Sequence, residues 1–346
     1  MEKLRFRFDD RIAPGDIVDI IDGFRANEVP RINGLTDYSK GNNPPILERQ
    51  LPVASPQNKV PTPYGRRITS IVSSYMYLPG LISYNSENDE LFNSLSDVFT
   101  MNEEPIESYR IGWQATVQGV GYELFYSEGL DRVNTILGPG TGRKNTEPLF
   151  IRVSVNGVIP IYDYAIDSKI TAFIRFYTIK QDEAEYIDVY YSDVIEHYVR
   201  KAAATSIRKT GEQSHGYDRP PLVVYDNNDD MMGDFSAVVP LIDAYDVLTS
   251  DSMNEFDRFA QAYLIFKGMS LSPEDVETIK YKRAFNVDAD GAVTFLTKPI
   301  EVEFIQFMTE HLRGMAREIA LLEVLGPNPT AAFKMLQDVA TRLEKL

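Results

Sequence analysis

The residues best suited to chemistry in this sequence sit in patterns that stop short of a working site. Leu137-Gly138-Pro139-Gly140-Thr141-Gly142-Arg143-Lys144 has the glycine density of a phosphate-cradling loop. Arg143 and Asn145, however, stand where the G-x-x-x-x-G-K-[ST] pattern needs a glycine and a hydroxyl, and no helical pattern opens after it. An exposed, flexible loop is expected there. Asp226-Asn227-Asn228-Asp229-Asp230 and Asn286-Val287-Asp288-Ala289-Asp290-Gly291 offer oxygens in the order of a calcium loop. The first lacks glycine at the sixth position, and in both the twelfth residue (Ala237, Thr297) is not the bidentate glutamate that closes such a site. Solvated turns, able at most to hold a divalent ion weakly, are expected. His197, His215 and His311 lie far apart, none in H-E-x-x-H spacing, and no Ser/His/Asp grouping emerges from the residue order. With no cysteine, thiol catalysis, disulfides and cysteine-ligated zinc are excluded. Neither an enzyme nor a cofactor or metal site is expected. Trp113 and the 20 tyrosines are expected to pack cores and interfaces rather than stack on bases.

Composition narrows the class further. At 346 residues with 43% hydrophobic side chains, the chain can build two or more domains with buried cores. No apolar run approaches the ~18 to 20 residues of a membrane helix, and Met1-Glu2-Lys3-Leu4-Arg5-Phe6-Arg7-Phe8 is too polar for a signal peptide, so a cytosol-like compartment without membrane contact is expected. The net charge of -16 opposes tight binding to a phosphate backbone, because such affinity comes from basic side chains displacing counterions.

The elements that would position any site follow an α+β order. Prolines at 14, 30, 44, 45, 52, 56, 61 and 63 predict an extended arm with one short helix near Asp16 to Phe24. Helical spacing runs from Arg66 to Tyr77 and from Glu90 to Val98, and again from Ile106 to Val120 before a strand at Tyr122 to Tyr126. Alternation then predicts a mostly antiparallel sheet from Phe150 to Val155, Val158 to Tyr162, Ile170 to Ile179, Tyr186 to Tyr191 and Val194 to Val199. After the strand Arg219 to Tyr225 and the turn through Gly233-Asp234-Phe235, a three-four apolar stripe (Leu241, Tyr245, Leu248, Ser252, Phe256, Phe259, Tyr263, Phe266) predicts one long helix to Lys267. Asp243, Asp246, Asp251, Asp257 and Gln261 fall off that stripe. A small α+β insert over 269–299 follows, with a helix capped by Ser272-Pro273-Glu274-Asp275 and a strand at Ala292 to Thr297. A second long helix carries Ile300, Phe304, Phe307, His311, Met315, Ile319 and Leu322 on one face, and Gly326-Pro327-Asn328-Pro329 precedes a last helix, Thr330 to Leu346.

The block Val223 to Asp251, with Asn227-Asn228, Gly233-Asp234-Phe235, Leu241-Ile242-Asp243-Ala244-Tyr245-Asp246 and Ser250-Asp251, resembles the siphophage-type portal proteins of tailed bacteriophages. Weaker echoes are Ile32-Asn33-Gly34-Leu35-Thr36-Asp37-Tyr38-Ser39-Lys40-Gly41, Tyr77-Leu78-Pro79-Gly80 with Ile82-Ser83-Tyr84, and Gly119-Val120-Gly121-Tyr122-Glu123-Leu124-Phe125-Tyr126. The resemblance implies an N-terminal arm (1–24), a wing domain (25–238), a stem helix (239–267), a clip (268–299), a returning stem helix (300–322) and a reduced tunnel and crown helix (323–346), shorter than in relatives. It further implies a homo-oligomeric ring of about twelve subunits at a capsid vertex. Double-stranded DNA would pass through weakly and non-specifically, assembly would take place in the host cytoplasm, and the partners would be the terminase large subunit, a head-completion adaptor and the major capsid or scaffolding protein.

On that plan Asp243, Asp246, Asp251, Asp257 and Gln261 are the candidates for lining the channel. Leu241, Tyr245, Leu248, Phe256, Phe259, Tyr263, Phe304, Phe307 and Met315 would pack stems between subunits, and Glu274, Asp275, Lys280, Lys282 and Arg283 would dock the motor or adaptor from the clip. The rival expectation is a structural collar or adaptor subunit of a phage-like particle that never passes DNA.

Overall fold

The computed structural model describes residues 3–7, 11–53, 55–127, 148–166, 168–201, 204–260, 263–267, 292–296 and 302–319. The chain divides into two units, one drawn from residues up to 42 and from 63 to 239, the other from 43–62 and 240–318.

In the first unit, helices α1 (Pro14–Asn27) and α2 (Val29–Lys40) occupy the region expected to hold a single short helix. The prolines do not prevent them, because Pro14 and Pro30 sit in the first turn, where a missing N–H breaks no intrahelical bond. Further helices are α3 (Pro44–Leu47, in the second unit), α4 (Tyr64–Tyr77), α5 (Asp89–Met101) and α6 (Glu104–Gln118). Three strands, β1 (Val120–Ser127), β2 (Pro148–Val153) and β8 (Leu222–Asp226), form an antiparallel sheet in the order β2-β1-β8. An antiparallel meander joins β3 (Val158–Tyr162), β4 (Ile170–Thr178), β5 (Ala184–Tyr190), β6 (Val194–Lys201) and β7 (Arg208–Ser214). The sequence expectation missed β7, since Arg-Lys-Thr-Gly-Glu-Gln-Ser lies on a sheet edge and has no apolar alternation to display.

Two cores hold this unit. Ile12, Ile17 and Ile21 cover one face of the meander against Ile174, Ile187 and Val189. Ile32 packs with Val120, Tyr122, Leu124, Phe173 and Leu222.

The second unit contains α7 (Val239–Ala260), β9 (Tyr263–Lys267), β10 (Ala292–Leu296) and α8 (Val302–Ile319). The helix expected to reach Lys267 stops at Ala260, and Tyr263–Lys267 pairs antiparallel with Ala292–Leu296, Tyr263 opposite Leu296. Tyr-Leu-Ile-Phe satisfies a helical stripe but has higher strand propensity, and a β-rich partner segment resolves the tie. Tyr263 therefore leaves the set of stem-helix packing residues. The 137–144 loop, the capped helix at Ser272, the turn at Asp288 and the last helix lie outside the described residues.

Candidate functional site

The second unit is organised by a match of two periods. On α7, Asp246, Ser250 and Asn254 recur every fourth residue, so side-chain acceptors repeat along one face at about 6 Å. Residues 58–62 run extended, and alternate N–H groups of an extended chain repeat at about 6.6 Å. The segment lies antiparallel to the helix and donates rung by rung: Thr62 N to Asp246 Oδ1, Val60 N to Ser250 Oγ and Asn58 N to Asn254 Oδ1, each at 2.9 Å. Pro61 stands between rungs, where its missing N–H costs no bond.

Side chains complete the strap. Asn43 Nδ2 and Thr62 Oγ1 donate to the two oxygens of Asp246, and Asn58 Nδ2 donates to Asp257. Arg49 forms a two-pronged pair with Asp251 at 2.8 and 3.2 Å. Asp246 and Ser250 are fully buried, Asn254 nearly so. Burial pushes the Asp246 carboxyl above its ordinary value, against the bonds from Asn43 and Thr62 that favour the charge. The opposite oxygen of Asn43, Oδ1, is buried with no partner among the described residues.

One member of the channel-lining set is corrected accordingly. Asp246 is sealed inside the strap, since a buried carboxylate is kept only where donors replace its water. The charge of Asp251 is matched by Arg49, and Asp257, though exposed, is held by Asn58. Asp243 is half-buried, and Gln261 lies outside the described residues.

The apolar positions also divide. Tyr245 is buried within its own chain, with the Arg313 guanidinium 5.6 Å from its ring centre. Leu241, Leu248 and Met315 are half-buried, and nothing is described of the Phe259 side chain. Phe256, Phe304 and Phe307 are 58%, 55% and 62% exposed, which is unusual for aromatic side chains and leaves both helices with uncovered apolar surface. Phe307 stacks on His311 at 5.8 Å.

Residues 227–235 clasp the end of α6 in the first unit. Asn227 N donates to Gly119 O at 3.0 Å, Asp234 N to Thr116 O at 2.8 Å, and Asn227 Nδ2 to Asp234 Oδ1 at 2.7 Å. Burial raises Asp234 above the usual aspartate range. Phe235 is fully buried. The backbones meet so closely that a Cβ on Gly119, where φ is +88°, would lie 2.0 Å from Met231 O, and one on Gly233 would lie 2.2 Å from Val117 O. Gly119 and Gly233 are thus required by contact between two chain segments. Among the described residues, no group of His, Asp or Glu could hold a metal ion, and no helix is long and apolar enough to cross a membrane.

Residues 19–322 match the family model described as phage portal protein, SPP1 Gp6-like. The chain belongs to this phage portal protein family. The portal protein of Bacillus phage SPP1 is 32% identical over 95 residues, which make up 27% of this chain and 19% of that protein, well under two thirds of its length. Among solved structures, the neck of an empty GTA particle computed with C6 symmetry is similar at TM-score 0.42 and 14% identity, covering 78% of this chain and 66% of that one. The neck of a native GTA particle computed with C12 symmetry is similar at TM-score 0.44 and 15% identity, covering 77% and 65%.

Within the portal family match fall the clasp, the strap and both long helices. The strap is the element that sequence reasoning missed. Its signal was present as acceptors at 246, 250 and 254 on a helix otherwise read by its apolar stripe. The clip positions Glu274, Asp275, Lys280, Lys282 and Arg283 lie outside the described residues.

Proposed function

We propose that this portal-family chain assembles with copies of itself into a closed ring at the capsid vertex of a virion and that the ring conducts double-stranded DNA during packaging and ejection. Phe256, Phe304 and Phe307, left in water on the two long helices of a family member, carry the proposal. Two or more neighbouring helices would cover such surface, and a heterologous contact that closes on itself makes a ring of about twelve copies geometrically accessible. Light scattering on the purified chain, followed by end-on negative-stain imaging, tests it: a large particle with a central hole is expected, and a stable monomer overturns the proposal.

DNA moves through such a ring without being held. A net charge of -16 disfavours retention on the phosphate backbone. Gel-shift titration at low salt should show weak, salt-sensitive association at most. Force for translocation comes from a separate terminase, and this chain carries no catalytic step.

The segment 268–299, with Glu274, Asp275, Lys280, Lys282 and Arg283, is the proposed docking element for the terminase large subunit and the head-completion adaptor. Removing Met269 to Pro299 should abolish that docking and spare folding of the first unit. Unimpaired packaging by the deletion variant would reassign the element.

A further inference from the structure

The meander of the first unit has one face covered by α1 and a second that forms the floor of a cleft of about 520 Å³. On that second face Arg175, Asp188 and His197 stand in register on β4, β5 and β6. Asp188, buried, accepts from Arg175 at 3.2 Å with one oxygen and meets His197 Nδ1 at 2.7 Å with the other. A carboxylate on Nδ1 leaves Nε2 as the ring's remaining polar atom. That atom is buried and has no partner among the described residues. His215 contributes no such atom, since its Nε2 lies 2.9 Å from Tyr191 O and its Nδ1 accepts from Tyr217 N.

The charges around this cleft run against the rest of the molecule. In a chain of net charge -16, the described lining of the cleft carries Arg152, Arg175, His197 and His215, with Asp188 the one carboxylate among these described residues. Asp188 already matches Arg175, whereas Arg152, at the exposed rim, has no ion-pair partner among the described residues. Most of the remaining described lining is apolar and aromatic, with Phe125, Ile151, Ile195 and Pro221 beside the stacked Tyr177 and Tyr186 rings, and Ser154, Thr210 and Gln213 add uncharged polar groups. A concavity of this volume, apolar with a few convergent polar groups, is the form of a site for a small ligand.

We propose that this cleft binds a carboxylate carried on an apolar or aromatic body. The body fills the aromatic wall, and the carboxylate takes the guanidinium of Arg152 and an Nε2–H donor from His197 once that ring carries its second proton. Charge-assisted bonds of this kind are about twice as strong as neutral ones, so the acid should be clearly preferred to its neutral analogues. The proposal stands apart from ring assembly and survives if the chain is a monomer.

The test titrates 3-phenylpropionate, 3-phenylpropanamide and 3-phenylpropanol into the whole chain and follows the tyrosine and histidine resonances by NMR. The acid should bind on the order of ten-fold more tightly than either neutral analogue, and the variants Arg152→Met and His197→Gln should each remove most of that preference. Arg152→Met alters an exposed side chain and should leave the amide spectrum of the fold unchanged, so its result stands even if His197→Gln disturbs the sheet. A tripeptide ending in Phe, as free acid and as amide, separates the sources. Binding of the peptide acid alone assigns the site to a protein chain end, and binding of both acids assigns it to the carboxylate in general. Equal affinity for acid and amide, or a preference unaffected by Arg152→Met, overturns the proposal.

Discussion

Asp246 shows what a single carboxylate costs and does inside this fold. Asp246→Ala would strand Thr62 N and Thr62 Oγ1 and take from Asn43 Nδ2 one of its two acceptors, a loss of roughly 3 kcal/mol, read as faster hydrogen exchange at Val60 and Thr62. Asp246→Asn should cost less, because its remaining oxygen can still accept from Thr62 N and Thr62 Oγ1, and Asn43 Nδ2 keeps its bond to Thr62 O. The same residue sets a pH dependence. Its folded carboxyl titrates above the ordinary aspartate value of 3.8, so between that value and the raised one the folded chain holds a proton that the unfolded chain has released. Stability from this group is therefore fully present below the lower value and is lost as pH rises through the upper one. Urea midpoints of the wild type minus those of Asp246→Asn should fall with rising pH across that window, and a flat difference would show that Asp246 stays charged in the fold.

At the scale of elements, the clasp and the strap make opposite demands on the sequence. Gly119→Ala adds a methyl where φ is positive and Met231 O is in the way, so a loss of more than about 2 kcal/mol is expected, measured as the melting of Trp113 fluorescence. For the strap, Val60→Pro deletes the donor to Ser250 and should cost about 1–2 kcal/mol. Combined with Ser250→Ala, it should cost less than the two separate losses added together, because the pair shares one bond. The strap also has a parity. One residue inserted between Asn58 and Thr62 would put the rungs on its two sides out of phase, so that they could not all face α7, whereas two would keep the phase and displace one part of the ladder by a step.

Legibility follows from the same physics. The strands from Phe150 to Val199 were visible as alternation because that signal is local, whereas Asn227-Asn228 and Gly233-Asp234-Phe235 stood out only as a turn and as part of the portal resemblance, their contact with α6 lying more than 100 residues away. The strap was hidden because its two sides lie about 190 residues apart, as in Val60 with Ser250, and its proline-rich side displays no periodicity. The end of α7 was hidden because Tyr263 to Phe266 fits a stripe and a strand equally well until Ala292–Leu296 supplies a partner. Of the candidate site, the exposed Phe256, Phe304 and Phe307 were anticipated as apolar positions, while the cleft over Arg175, Asp188 and His197 depends on strand register, which the spacing of residues does not reveal.

At the scale of the whole molecule, assembly can be separated from folding. Phe304→Asp combined with Phe307→Asp changes side chains that the protomer leaves exposed, so its melting temperature should hold while the particle mass seen by light scattering falls. A fall in both would mean that these rings stabilise the protomer itself. The path of the chain carries a different consequence. Residues 43–62 leave the first unit, complete the second, and return, so the second unit is written in two separate stretches of sequence. Neither unit can then be inherited, swapped or expressed as one uninterrupted cassette: a fragment of 240–318 would expose the acceptors of Asp246, Ser250 and Asn254 until a peptide of 43–62 was supplied in trans. Recombination between relatives should therefore spare this interlaced pair of segments or exchange both together.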